Sequence, residues 1–140
     1  MNHDSYGDDY LRGVLARVKT IAMVGASPRP DRPSFRVMTF LKSRGFRVIP
    51  VNPQAAGETI QGEKVVASLA EIPVPVDMVD IFRRSELVAP VVDEAIAKGA
   101  KIVWMQLGVR DDAAAAKAEQ HGIDVVMNRC PAIEMPRLGL

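Results

Sequence analysis

Short apolar runs alternate with segments of helical spacing about five times along this chain, and that rhythm excludes most folds. A strand that is apolar at every position is buried on both faces, as in a parallel sheet covered by helices. Thr20-Ile21-Ala22-Met23-Val24 is such a run, and Phe46 to Val51, Val76 to Phe82, Ile102 to Gln106 and Ile123 to Met127 repeat it. Between them the spacing predicts a helix from Phe35 to Ser43, with Ser34 as N-cap and Gly45 beyond its end. It predicts a short helix around Ala67 to Glu71 and a longer one from Ser85 to Lys98, with Ser85 as cap and Pro90 in the first turn. A further helix starts at Asp111 or Asp112 and runs to Gln120, and a short helix or irregular tail closes the chain. Leu11, Val14, Leu15 and Val18 place another helix, Asp8 to Val18, before the first strand. The expected fold is α/β, a Rossmann-like doubly wound parallel sheet of about five strands with helices on both faces. Residues 1–8, MNHDSYGD, are expected to be a loose N-terminal tail, and residues 9–140 a single domain.

Composition narrows the class of partner. The chain has 140 residues, 48% of them hydrophobic, which suits one domain with a sizeable core. Its 18 basic and 17 acidic residues leave a formal charge of +1, so no basic excess points to nucleic acid. No apolar run reaches the roughly 20 residues of a membrane span, and the start of the chain lacks the layout of a signal peptide. Cys130 is the only cysteine and has no internal disulfide partner, so the cytoplasm is the expected compartment.

In a parallel sheet of this kind, ligands bind beyond the carboxyl ends of the strands. The residues in those places are Gly25-Ala26-Ser27, Asn52-Pro53, Arg83-Arg84, Leu107-Gly108-Val109-Arg110 and Asn128-Arg129-Cys130. Gly25 allows a tight turn and a close approach of backbone to ligand. Loop N–H groups, the following helix start, and the hydroxyls of Ser27 and Ser34 favour phosphate there; the alternative is that Gly25 only makes a tight turn. The dinucleotide fingerprint G-x-G-x-x-G is absent, since only its first glycine, Gly25, is present. Its acidic partner at the second strand end is replaced by Asn52-Pro53, which counts against NAD, while Pro53 offers a flat apolar surface to an adenine ring.

Arg29, Arg32, Arg36, Arg83, Arg84, Arg110 and Arg129 fall on or near the strand ends. Arginine binds phosphate through paired hydrogen bonds, so the set suggests a ligand with more than one phosphate. Cys130 precedes Pro131 at a predicted helix start; it is either a reactive thiol or a small buried side chain. His3 and His121 read as structural or surface residues, and no Cys/His cluster has metal spacing. Asp77 and Asp80 flank Met78 and Val79 in a strand, where they face inward or cap loops.

Taken in order, the segments IAMVGASPRPDRPSFRVMTFL, VIPVNP, VDMVDIFRRSE, IVWMQLGV and VVMNRCPAIE resemble the stand-alone CoA-binding proteins. These are similar to the N-terminal CoA-binding domain of succinyl-CoA synthetase α subunits and of ADP-forming acyl-CoA synthetases. The resemblance covers about Leu11 to Leu138 and implies coenzyme A as the cofactor. It implies that Gly25, Ala26, Ser27, Pro28, Arg29 and Ser34 form the phosphate-side turn, and that Asn52 and Pro53 form the adenine-side loop. Phe82, Arg83 and Arg84 would stand at the third strand end. Gln106, Leu107, Gly108, Asn128, Arg129 and Cys130 would line the remainder, near the pantetheine arm.

The related synthetases pass phosphate through a histidine in a further domain, and neither histidine of this chain is placed to stand in for it. The expected role is therefore a non-catalytic carrier, sensor or regulator that binds CoA or an acyl-CoA. An NADP-linked oxidoreductase or a CoA-transferring enzyme with an unrecognised catalytic group is the alternative, and a mixed disulfide between Cys130 and CoA is a third reading. A homodimer through apolar surface on an edge helix is also compatible with the sequence.

Overall fold

The computed structural model describes residues 1–140. Its parallel sheet contains β1 (Thr20–Val24), β2 (Arg47–Val51), β5 (Met78–Ile81), β6 (Ile102–Met105) and β7 (Asp124–Val126), in the order β2-β1-β5-β6-β7. A separate antiparallel pair, β3 (Thr59–Ile60) and β4 (Glu63–Lys64), lies in the connection between β2 and β5. Helices α1 (Asp8–Ala16), α2 (Pro33–Ser43) and α5 (Pro131–Arg137) cover one face, through Leu11, Val37, Met38, Leu41 and Met135. Helices α3 (Val88–Lys98) and α4 (Asp112–Gln120) cover the other, through Val88, Val92, Ala95, Ala115 and Ala118. Burial on both faces explains the unbroken apolar strands, since β1 and β6 have no outward side to carry polar residues. Strand order reverses between β1 and β5, because the chain leaves β1 for β2 on one side and returns to β5 on the other. That reversal opens a crevice at the strand ends.

The helix starts depart from expectation in three places. Arg32, not Ser34, is the N-cap of α2; Pro33 takes the first helical position, where its fixed φ and missing N–H cost least. Ser85 does not cap α3. It opens a single 3-10 turn, Ser85–Leu87, and its Oγ accepts the Arg110 N–H at 3.0 Å, while Pro90 sits in the first turn of α3. The expected helix around Ala67 to Glu71 is reduced to a 3-10 turn, Leu69–Glu71. By contrast Asp111 caps α4 as expected, its side chain accepting the Ala114 N–H at 3.0 Å.

The tail is anchored through His3 and Tyr6, while Asp4 and Ser5 stay exposed. Strand β7 pairs only with β6, so its far edge is open. Tyr10 Oη donates to Val125 O and Tyr6 Oη accepts from Met127 N–H, each at 2.8 Å, and the two rings stack at 5.8 Å. These hydroxyls satisfy edge groups that would otherwise recruit another strand. Tyr6 then has its own proton free for His3 Nδ1 at 2.7 Å, and the remaining ring N–H of His3 donates to Glu119 at 3.1 Å. His3 is only 7% exposed. The polar composition hid this because the burial comes from hydrogen bonds to an edge strand, not from an apolar pattern.

Candidate functional site

The site is built outward from Gly25, the first residue beyond β1. Its φ is +88°, and a Cβ there would lie 2.3 Å from the Phe82 carbonyl oxygen at the end of β5. Only glycine lets the two strand ends converge this closely at the switch point. The turn that follows is braced internally. Ser34 Oγ accepts the Ser27 N–H at 3.1 Å, Ser27 Oγ accepts the Arg29 N–H at 3.2 Å, and Asn52 Nδ2 donates to Ala26 O at 2.8 Å. With Pro33 lacking an N–H and Phe35 donating to Arg32 O, the Ser34 N–H at the start of α2 has no backbone acceptor. It is the one donor of that first turn left for an anion.

Beyond the turn lies a cleft of about 1010 Å³. Of the residues expected at the site, Gly25, Ser27, Arg29, Ser34, Phe82, Arg83, Arg84, Gln106, Leu107, Gly108 and Cys130 line it. Ala26, Pro28, Asn52, Pro53, Asn128 and Arg129 do not. Two of these are braces rather than lining. Asn52 holds Ala26 O and takes the Gln54 N–H on its Oδ1, while Asn128, at φ 57°, accepts the Gly108 N–H on its Oδ1 at 2.7 Å. Each fixes the loop of a neighbouring strand, a use of asparagine that a strand-end reading does not separate from ligand contact.

The arginines divide. Arg29, Arg32, Arg36, Arg83 and Arg84 line the cleft, and no acidic side chain does. Arg29 has Asp31 at 3.3 Å and Arg84 has Glu86 at 3.8 Å, both exposed pairs of little energetic weight. Arg110 instead pairs with Asp4 and Asp112, each at 2.9 Å. Arg129 lies 5.0 Å over the Tyr6 ring and donates to Asn128 O. The N-terminal segment therefore occupies both, and they are not part of the cleft.

Pro33, Val37, Gln54, Ala132 and Ile133 complete the lining without having been expected there. Val37 stands one helical turn after Pro33, and that spacing would have revealed it once the true start of α2 was known. Cys130 lines the cleft but is largely covered; it is the N-cap of α5, with no side-chain capping bond.

Two buried polar groups lack protein partners. Gln106, at the end of β6, is 6% exposed, and its Oε1 meets no donor. Asp80 is fully buried in β5 between Met23 and Trp104, with both carboxyl oxygens unpartnered. Burial pushes its carboxyl well above the usual carboxylate range, which favours the neutral acid. Asp77 stands apart at the opposite end of the sheet, where it accepts the N–H groups of Lys19 and Thr20 and pairs with Lys101 at 3.2 Å. No helix is long and apolar enough to cross a membrane.

The sequence model of the family described as "CoA binding domain" matches residues 19–136. The protein YneT of Bacillus subtilis (strain 168) is 38% identical over 120 residues, covering 86% of this chain and 87% of that one. The α subunit of ADP-forming acetate–CoA ligase I from Pyrococcus furiosus is 35% identical over 93 residues, which cover 64% of this chain and 20% of the ligase subunit. Among solved structures, a protein from Pyrococcus horikoshii OT3 superposes with a TM-score of 0.91 at 38% identity, over 100% of this chain and 97% of that one. A Thermus thermophilus protein gives 0.90 at 39% identity, over 95% and 99%.

Proposed function

The chain belongs to the CoA-binding domain family, and from that premise we propose that it binds coenzyme A in the cleft at the β1–β5 switch point. The observation that carries the reading is the lining of that cleft. Arg29, Arg32, Arg36, Arg83 and Arg84 face it without an acidic residue among them, beside the free Ser34 N–H. Coenzyme A brings a pyrophosphate and a ribose 3′-phosphate, and bidentate guanidinium contacts suit both. The volume stands at the upper end of the roughly 300–1,000 Å³ usual for ligand cavities, which fits a nucleotide with a long arm.

The role is that of a carrier, sensor or regulator. The lining presents guanidiniums, hydroxyls, amides and one thiol. The groups that most often move protons in catalysis stand elsewhere: His3 is held by Tyr6 and Glu119, and Asp80 is enclosed in the core. The ligase activity in the Pyrococcus furiosus subunit's name belongs to a much longer chain.

Titration calorimetry with CoA, dephospho-CoA and NAD tests the reading. CoA should bind, and dephospho-CoA should bind about tenfold more weakly for the loss of a charged hydrogen-bonded group. NAD should not bind measurably. Binding of NAD without CoA overturns the proposal.

A further inference from the structure

The cleft has two chemically different ends, and sheet order sets them apart. The loop after β1, the start of α2 and the end of β5 supply its arginines. The ends of β6 and β7, with the start of α5, supply Gln106, Leu107, Val109, Cys130, Ala132 and Ile133, none of them charged. Two of these are unusual for their surroundings. Leu107 is 56% exposed and Ile133 53% exposed, and both stand at the cleft rather than scattered on the outer surface. Large apolar side chains left in water at a cleft favour a ligand that covers them.

Gln106 adds an independent requirement. Its side chain is more than nine-tenths buried, lines the cleft, and leaves Oε1 without a donor. That oxygen is itself enclosed, so the face of the carboxamide open to a ligand is its amide nitrogen, a donor for a ligand carbonyl. A molecule spanning the cleft thus carries phosphates at one end, a carbonyl acceptor on the arm beside Gln106, and an apolar tip over Leu107 and Ile133.

Resting on the CoA reading, we infer that the preferred ligand is an acyl thioester of coenzyme A with an aliphatic acyl group, rather than the free thiol. A pantetheine amide carbonyl accepts from Gln106 Nε2, and the acyl chain covers Leu107 and Ile133. A bare thiol is too small to cover both side chains, whereas each added methylene covers more of them.

The test is a series of dissociation constants for adenosine 3′,5′-bisphosphate, CoA, acetyl-CoA, butyryl-CoA and hexanoyl-CoA. Each methylene beyond acetyl should tighten binding about two- to fourfold, the upper figure corresponding to full burial. The double variant Leu107→Ser/Ile133→Ser replaces exposed side chains and should flatten the series. Gln106→Leu should weaken the arm-bearing ligands about tenfold more than adenosine 3′,5′-bisphosphate, which has no arm; a thermal melt confirms that the variant is folded. If CoA binds but affinity is flat or falls with chain length, the acyl preference is wrong and the CoA reading stands. If Gln106→Leu weakens all ligands equally, the arm contact is wrong. If no member of the series binds, the CoA reading fails and this inference fails with it.

Discussion

The two ends of one sheet edge carry the same residue type to different purposes. At β1 and β5, Arg32, Arg36 and Arg83 face the cleft without a carboxylate partner. At β6 and β7, Arg110 and Arg129 are engaged by Asp4, Asp112, Tyr6 and Asn128. Position beyond a strand end is shared by both groups. What separates them is the N-terminal segment, which reaches the β7 side and uses its cations as structural partners. A strand-end arginine is thus free for a ligand only where no other part of the chain arrives first.

The sharpest way to break this comparison is Gly25→Ala. The new Cβ would meet the Phe82 carbonyl at 2.3 Å in a left-handed backbone conformation. We expect a loss of about 3 kcal/mol from steric overlap and strain together, read from the denaturation midpoint, and no measurable CoA binding. Gly122→Ala, where a Cβ meets nothing within 4 Å, pays only the strain at positive φ and should retain binding.

Asp80 separates the core from the edge. Its folded-state carboxyl titrates above its unfolded value, so the folded chain holds a proton that the unfolded chain releases. Its contribution is fully present below about pH 4 and is lost as pH rises toward the folded value, at no more than about 1.4 kcal/mol per pH unit. Denaturation from pH 4 to 8 should show that decline, and Asp80→Asn should remove it and be the more stable protein at pH 8. An unchanged slope in the variant would assign the decline to other groups.

Arg83→Ala set beside Arg129→Ala sharpens the division itself. The first should weaken CoA about tenfold and flatten its salt dependence. The second should leave CoA affinity within about twofold and lower stability by roughly 0.5–1 kcal/mol through the lost contact with Tyr6. Equal effects on affinity would dissolve the distinction between the two ends.

Tyr6→Phe deletes a single hydroxyl. It removes the acceptor of the Met127 N–H and the partner of His3, and should cost about 1 kcal/mol. Hydrogen exchange at Met127 should quicken while CoA affinity holds.

The sheet was legible because burial on both faces writes itself into β1 and β6 as unbroken apolar runs. The edge at which the cleft opens was legible because topology alone places it, and Gly25 marks the switch point. Other features rest on contacts between residues far apart in sequence. Asn52 and Asn128 each hold a neighbouring loop, a role that a strand-end asparagine does not announce in the sequence. Ser34 looked like a cap because serine usually is one, yet Pro33 starts the helix and turns the Ser34 hydroxyl toward Ser27. The tail looked loose because tyrosine hydroxyls closing a strand edge leave no periodic trace. Ile133 was missed because α5 is too short to show a face.

Amide chemical shifts during a CoA titration report where on the sheet edge the ligand sits. The largest changes should fall at Gly25, Ser27, Ser34, Arg83, Gln106 and Gly108, with Tyr6 and Tyr10 unmoved. Changes centred on Tyr6, Arg110 and Arg129, with Gly25 and Arg83 unaffected, would contradict that placement.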